Sequence, residues 1–200
     1  MLIPRRGGEG RDDGVTILEM VVAMAVVSVL MAVYVSMVLV MSRATATAGS
    51  IATATAQLRA VVDSLGRQAG IASAATAPAT VGTDLYLELR SDAVSAGNAP
   101  TCTEWRFRSS ARQLQVRSWS TLNPVASTWR TVVSDLGNDL ATHPPFSVQP
   151  VDGLHARPVV TIDLVVSPAH QPTVSLTGAY SLRNYGSAPV GAICAEVARS

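Results

Sequence analysis

The sequence predicts an α+β protein: a long N-terminal hydrophobic helix, membrane-length in its first half and amphipathic in its second, packed on a C-terminal antiparallel β-sheet head. Three observations carry this expectation. Residues 15–41 form a nearly unbroken apolar run of about 27 residues, enough to cross a hydrocarbon core of ~30 Å as a helix. Residues 42–70 continue with helix-compatible composition and an apolar stripe of helical period. Residues 71–200 then switch to period-two alternation, and they hold all three tryptophans, Trp105, Trp119 and Trp129.

The chain has 200 residues, of which 48% are hydrophobic and 14% charged, too apolar a composition for disorder. Its formal net charge is +1, which gives no bulk electrostatic reason to expect nucleic acid or anionic lipid. Roughly 130 residues follow Gly70, enough for one domain with its own core. Cys102 and Cys194 both lie beyond the apolar run. An even count fits a disulfide if the domain is exported, and two buried thiols if it is not.

The first element to justify is the apolar run. Glu19 is the only charged side chain between Val15 and Met41. A charge inside a membrane-length segment is costly and marks a functional position by default. The bland alternative is a carboxylate that snorkels to the headgroups. A secretory signal peptide has an apolar stretch of only about 7–15 residues. Here the stretch is longer, although the Ala-Thr-Ala-Thr-Ala tract at 44–48 offers small residues of the kind found at cleavage sites. An uncleaved signal anchor is a second alternative. Neither accounts for Glu19. Arg5, Arg6 and Arg11 precede the run and Arg43 follows it, a bias that favours a cytoplasmic N-terminus.

The junction reads Asp13-Gly14-Val15-Thr16-Ile17-Leu18-Glu19-Met20. It resembles the class III signal of type IV pilins and type II secretion pseudopilins, with its short charged leader, Gly14, Thr16, Glu19 and apolar helix. The resemblance implies a leader peptide of residues 1–14, cleavage by prepilin peptidase between Gly14 and Val15, and N-methylation of Val15. Val15 stands where the family more often has Phe. The resemblance also implies that Glu19 pairs with the new α-amino group of a neighbouring subunit during assembly. Glu19 lies about 6 Å along a helix from Val15, and burying such a pair is favourable only when both charges are present.

Ala25, Ser28, Ala32 and Ser36 fall on one face of this helix, a small-residue stripe that lets helices approach closely; chance in an Ala/Val/Met-rich run is the alternative. No proline interrupts residues 15–50. Beyond Ser42, Ile51, Leu58, Val62 and Leu65 share a helix face, so residues 17–68 are expected as one helix, with Gly49 a point of weakness. Residues 71–83, with Pro78 and Gly82, read as the loop out of it.

Strands follow. Leu85, Leu87 and Leu89 alternate with polar residues, and residues 101–108 and 114–119 flank a turn as a hairpin. Val160, Ile162, Leu164 and Val166 make one apolar strand face, and Val174, Leu176, Tyr180 and Leu182 another. Residues 135–158, rich in Pro and Gly, read as a long irregular connection and a candidate partner-binding loop. The order of elements is similar to pilin heads. Residues 180–184 look like the last strand of minor pseudopilins, and Cys194 is similar to the cysteine of pilins whose C-terminal region is tied back by a disulfide, here to Cys102.

No enzyme constellation is present, and neither a cofactor nor a metal is expected. His143, His155 and His170 are isolated, and Asp135, Asn138 and Asp139 fail the EF-hand spacing. Arg106, Arg108, Arg112 and Arg117 form a basic cluster on the hairpin. Alternation puts Trp105 and Phe107 on the opposite face, so a solvated strand face shared with Glu104 is expected rather than a nucleic-acid surface.

The expectation is therefore a structural subunit, a minor pilin or pseudopilin. Its expected partners are prepilin peptidase, other pilin or pseudopilin subunits, the inner-membrane assembly platform, and membrane lipid before assembly. It would sit in the cytoplasmic membrane as a single pass, N-terminus inside and head outside. The competing readings are an uncleaved, signal-anchored extracytoplasmic binding domain and a DNA-uptake pilin.

Overall fold

A computed structural model describes residues 16–92, 99–167, 172–186 and 193–199. The chain divides into two compact units, residues 1–47 and 48–200. Helix α1 runs Ile17–Ile71 over 55 residues and passes through Gly49 without a break, against the expected weak point. Alanine, the strongest helix former, recurs around it at 44, 46, 48, 52, 54 and 56, and one glycine costs only about 1 kcal/mol relative to alanine.

In the first unit the described residues are almost all helix, and every large apolar side chain from Ile17 to Met41 is exposed, from 45% (Val38) to 85% (Ile17). This is a helix long and apolar enough to cross a membrane by length and composition.

In the second unit α1 behaves differently. Ala54, Leu58, Val61, Val62, Leu65 and Ala69 are buried, at the i, i+4, i+7 spacing of a single face. Leu58 and Leu65 are fully buried, each stabilising the fold by about 1.5–3 kcal/mol relative to exposure.

Among the described residues, nine strands form two antiparallel sheets. The first has β1 (Ala74–Ala75), β3 (Asp84–Ser91), β4 (Thr101–Arg108), β5 (Gln113–Ser120) and β6 (Arg130–Val133) in that order, with β2 (Ala79–Val81) also on β3. The second has β7 (Phe146–Gln149), β8 (Val159–Val166) and β9 (Val174–Ser181). The pairing Leu85↔Phe107↔Leu114↔Val133 sets one apolar row and Leu87↔Trp105↔Val116 the next. These rows share one core with the buried face of α1 and with Phe146, Val160, Ile162, Leu164 and Val166 of the second sheet. Trp105 Nε1 donates to Gln68 Oε1 at 2.8 Å, so the one polar atom of that indole is satisfied by the helix.

The expected strands are present except at residues 182–184: β9 stops at Ser181, and Arg183 and Asn184 form a turn. Three further details differ. Residues 71–83 hold β1 and β2, two short edge pieces with too few residues to show a period. Residues 135–158 contain β7, whose four residues lie between prolines. The strands make two sheets rather than one meander, joined at a Leu136↔Val166 bridge. Arg112 reinforces that junction. It turns the β4–β5 hairpin at φ 54°, and its guanidinium donates to Leu136 O at 2.7 Å and Ser167 O at 2.9 Å.

Candidate functional site

Two regions hold the residues singled out by the sequence. At the start of α1, Gly14 and Val15 lie outside the described residues. The helix begins immediately after them, with Thr16 as its N-cap: Glu19 N donates to Thr16 Oγ1 at 3.3 Å. Thr16-x-x-Glu19 is a capping-box pattern, a local role for both residues that is carried by the sequence itself. A carboxylate in the first turn also meets the positive end of the helix dipole. Glu19 is exposed.

Ala25, Ser28, Ala32 and Ser36 are likewise all exposed on α1. At ~100° per residue they fall within an arc of about 80°. Ser28 Oγ donates to Met24 O at 2.7 Å and Ser36 Oγ to Ala32 O at 2.8 Å. Both hydroxyls are thus satisfied within the helix, and the stripe presents a small, hydrogen-bond-neutral surface.

The second region is the outer face of the first sheet. Cys102 and Cys194 are joined there, with Cα atoms 5.9 Å apart and a sequence separation of 92. The bond fastens residues 193–199 across the sheet. Cys102, Cys194, Ala74, Trp119 and Ile193 form a second, small apolar cluster. Arg199 Nε reaches Glu88 Oε1 at 2.6 Å. Arg117 Nε reaches Glu104 Oε2 at 2.5 Å while its Nη2 donates to Ala198 O at 2.7 Å.

This arrangement corrects the expected solvated face. Glu88, Glu104 and Arg117 are buried, because residues 193–199 and Trp129 cover them. An aromatic ring does stand beside the cations. It is Trp129, with the Arg106 guanidinium 4.1 Å and that of Arg117 4.4 Å from its ring centroid, and with Tyr86 edge-on. Strand alternation could not reveal it, since Trp129 lies outside the hairpin.

Burial pushes the Glu104 carboxyl above its ordinary value; the hydrogen bond and charge of Arg117 pull it back, and the Glu88 carboxylate adds to the rise. Among the described residues, Glu88 Oε2, Glu104 Oε1 and Trp119 Nε1 are buried without hydrogen-bond partners. Glu88 and Glu104 stand directly opposite each other in the β3–β4 register, so two carboxylates share this layer with Arg117 and Arg199.

The remaining candidates resolve as turns. Asn138 Nδ2 donates to His143 O and Asp163 O. The Asp139 carboxylate accepts the N–H groups of Ala141 and Thr142, which holds it below the ordinary range. Asp152 accepts Leu154 N and His155 N and meets His155 Nδ1 at 2.9 Å. Those backbone bonds, with the Gln149 and His155 side chains, hold its carboxyl well below the usual range. His143 and His155 are exposed, and His170 lies outside the described residues. Among the described residues no group of three or more His, Cys, Asp or Glu side chains is placed to hold a metal ion.

A groove of about 1160 Å³ lies between the last turns of α1 and the end of β9, lined by Asp63, Arg67, Gln68, Tyr180, Arg183 and Asn184 among others. The Tyr180 ring closes its floor, seated so tightly that a Cβ on Gly66 would come within 2.5 Å of it.

The chain matches no protein-family model, no curated protein and no solved structure.

Proposed function

We propose that this chain is a structural filament subunit, a minor pilin or pseudopilin of a type IV pilus or type II secretion-like system. In this reading prepilin peptidase cuts between Gly14 and Val15, Val15 becomes the methylated N-terminus, and the chain waits in the cytoplasmic membrane with its head outside. The assembly platform then moves it into a filament whose core is built from copies of α1. The single observation that carries the reading is the state of α1 between Ile17 and Met41. It is capped by Thr16 two residues after Gly14, carries Glu19 in its first turn, and leaves every large apolar side chain exposed. Lipid can cover that surface before assembly and sibling helices afterwards, with the stripe at Ala25, Ser28, Ala32 and Ser36 as the line of approach.

In that filament Glu19 meets the cationic α-amine of a neighbour. Removing one partner strands the other charge, at a cost of about 3–5 kcal/mol if the pair is buried. The head, closed by its disulfide, makes the contacts particular to this subunit.

Co-expression with a prepilin peptidase tests the reading through the intact mass of the purified chain. The expected product begins at Val15, and Gly14→Leu abolishes its formation. Glu19→Ala is expected to be cleaved normally yet to be depleted from sheared filaments. A chain that keeps Met1, or one cut near Ala48, returns the protein to a signal-anchored binding domain or a secreted one.

A further inference from the structure

Among the described residues, the longest unguarded strand edge of the head is the outer edge of β9. The hydrogen-bond parity of the second sheet identifies which groups face outward. Leu182 N donates to Pro158 O, which makes 158↔182 a bonded pair; by alternation 160↔180, 162↔178, 164↔176 and 166↔174 are bonded too. On the other side of β8, Asp163 N donates to Pro145 O, so the odd residues of β8 serve β7. Ser175, Thr177, Ala179 and Ser181 therefore turn their N–H and C=O groups away from the sheet. Among the described residues these groups have no backbone partner.

Proteins usually block such an edge with a charge, a proline, a bulge or a short strand. β9 has none of these. Its sequence Val-Ser-Leu-Thr-Gly-Ala-Tyr-Ser is uncharged, runs eight residues and pairs with β8 without a register shift. The Ser181 end of this edge opens into the groove beside α1. Arg67 and Arg183 line that groove, are exposed, and make no ion pair or hydrogen bond among the described residues, whereas Asp63 supplies one carboxylate against the two guanidiniums. Gln68 and Asn184, also in the lining, are already bonded to Trp105 and Ile71.

We propose that the outer edge of β9 docks an extended segment of a partner protein that ends in a carboxylate-bearing residue. The segment adds as a further strand, its backbone bonding to Ser175, Thr177, Ala179 and Ser181, and its acidic end settles between Arg67 and Arg183. Main-chain bonds supply the affinity and the two guanidiniums select the charge. The site lies wholly in the head and stands independently of the filament reading.

The test uses the full chain in detergent micelles and a fluorescent peptide, Glu-Val-Thr-Val-Thr-Val-Glu, acidic at both ends so that either strand direction is served. Expected are saturable binding by anisotropy and slowed deuterium uptake over Val174–Ser181. The same peptide with Lys in place of Glu should bind at least ~10-fold more weakly. Ala179→Pro removes one outward N–H without touching a bond to β8, and is expected to weaken binding at least ~10-fold. Arg67→Glu with Arg183→Glu should do the same while leaving β9 intact, which guards against misfolding of the proline variant. No binding up to about 1 mM peptide, equal binding by the Lys peptide, or binding that survives both sets of substitutions each overturns the proposal. Self-association of the chain that Ala179→Pro abolishes, and that the peptide does not compete with, also overturns it and makes a second copy the occupant.

Discussion

Helix α1 carries two apolar stretches that meet opposite fates. From Ile17 to Met41 apolar side chains surround the helix, and every large one is exposed. From Ala54 to Ala69 the buried side chains recur every three or four residues, Leu58 and Leu65 being completely enclosed. A helix apolar on one face is finished by its own fold. One that is apolar all round must be finished by something else, lipid or other helices. The stability of the head is thus a property of the chain, whereas the stability of residues 17–41 belongs to their surroundings.

The largest expected effect is on the head's covalent closure. Cys102→Ala with Cys194→Ala opens a loop of 92 residues and should lower head stability by about 4–5 kcal/mol in the chain-entropy model. Tryptophan-detected denaturation of detergent-held protein measures it. Partition of the chain into micelles should not change.

Next is Leu65→Ala, which empties a fully enclosed position and should cost about 2–5 kcal/mol by the same measurement. Leu30→Ala, on the exposed stretch, should move head stability by less than about 0.5 kcal/mol. A comparable loss from Leu30→Ala would break the comparison.

The two helix glycines sharpen it further. A Cβ on Gly66 meets the Tyr180 ring at 2.5 Å, while one on Gly49 meets nothing within 4 Å. Gly66→Ala should therefore destabilise the head by about 1–3 kcal/mol, and Gly49→Ala should raise helix stability by about 1 kcal/mol. Thermal melts followed by circular dichroism distinguish the signs.

The smallest effect is a pH slope confined to the head. Glu104 has a folded pKa above its ordinary 4.5, so the folded state holds the proton more tightly. Its contribution is complete below 4.5 and is lost as pH rises through the folded value. Asp139 and Asp152 have folded values below 3.8, so theirs is complete above 3.8 and is lost as pH falls. Together these three carboxyls place a stability maximum between pH 3.8 and 4.5. A denaturation series across pH 2–8 locates it, and Glu104→Gln should flatten the alkaline side.

Much of this was legible in the residues. Leu85, Leu87 and Leu89 show β3 because one face is apolar and the other is not. Likewise Val160, Ile162, Leu164 and Val166 show β8. The apolar run and the stripe at Leu58, Val62 and Leu65 show α1. Strands β6 and β7 escaped because four residues give two repeats at most, and the prolines around Phe146 read as loop. The outer face of the first sheet escaped for a different reason. Arg117 and Glu104 read as solvent-facing by alternation, and only the return of residues 193–199 and Trp129 buries them. Such a cover is a long-range event that no local period announces. At the helix start, Glu19 stands out as the one charge in an apolar run, whereas Thr16 is marked as its cap only by the three-residue spacing.

The bond between Cys102 and Cys194 also decides how the head carries load. It closes β5 through β9 into a covalent ring, so tension that enters along α1 and leaves through residues 195–199 passes from one cysteine to the other and bypasses the strands between them. At up to ~3.6 Å per extended residue, about 330 Å of chain is withheld from stretching. The oxidised head is accordingly a short tether under force, and the reduced head a long one.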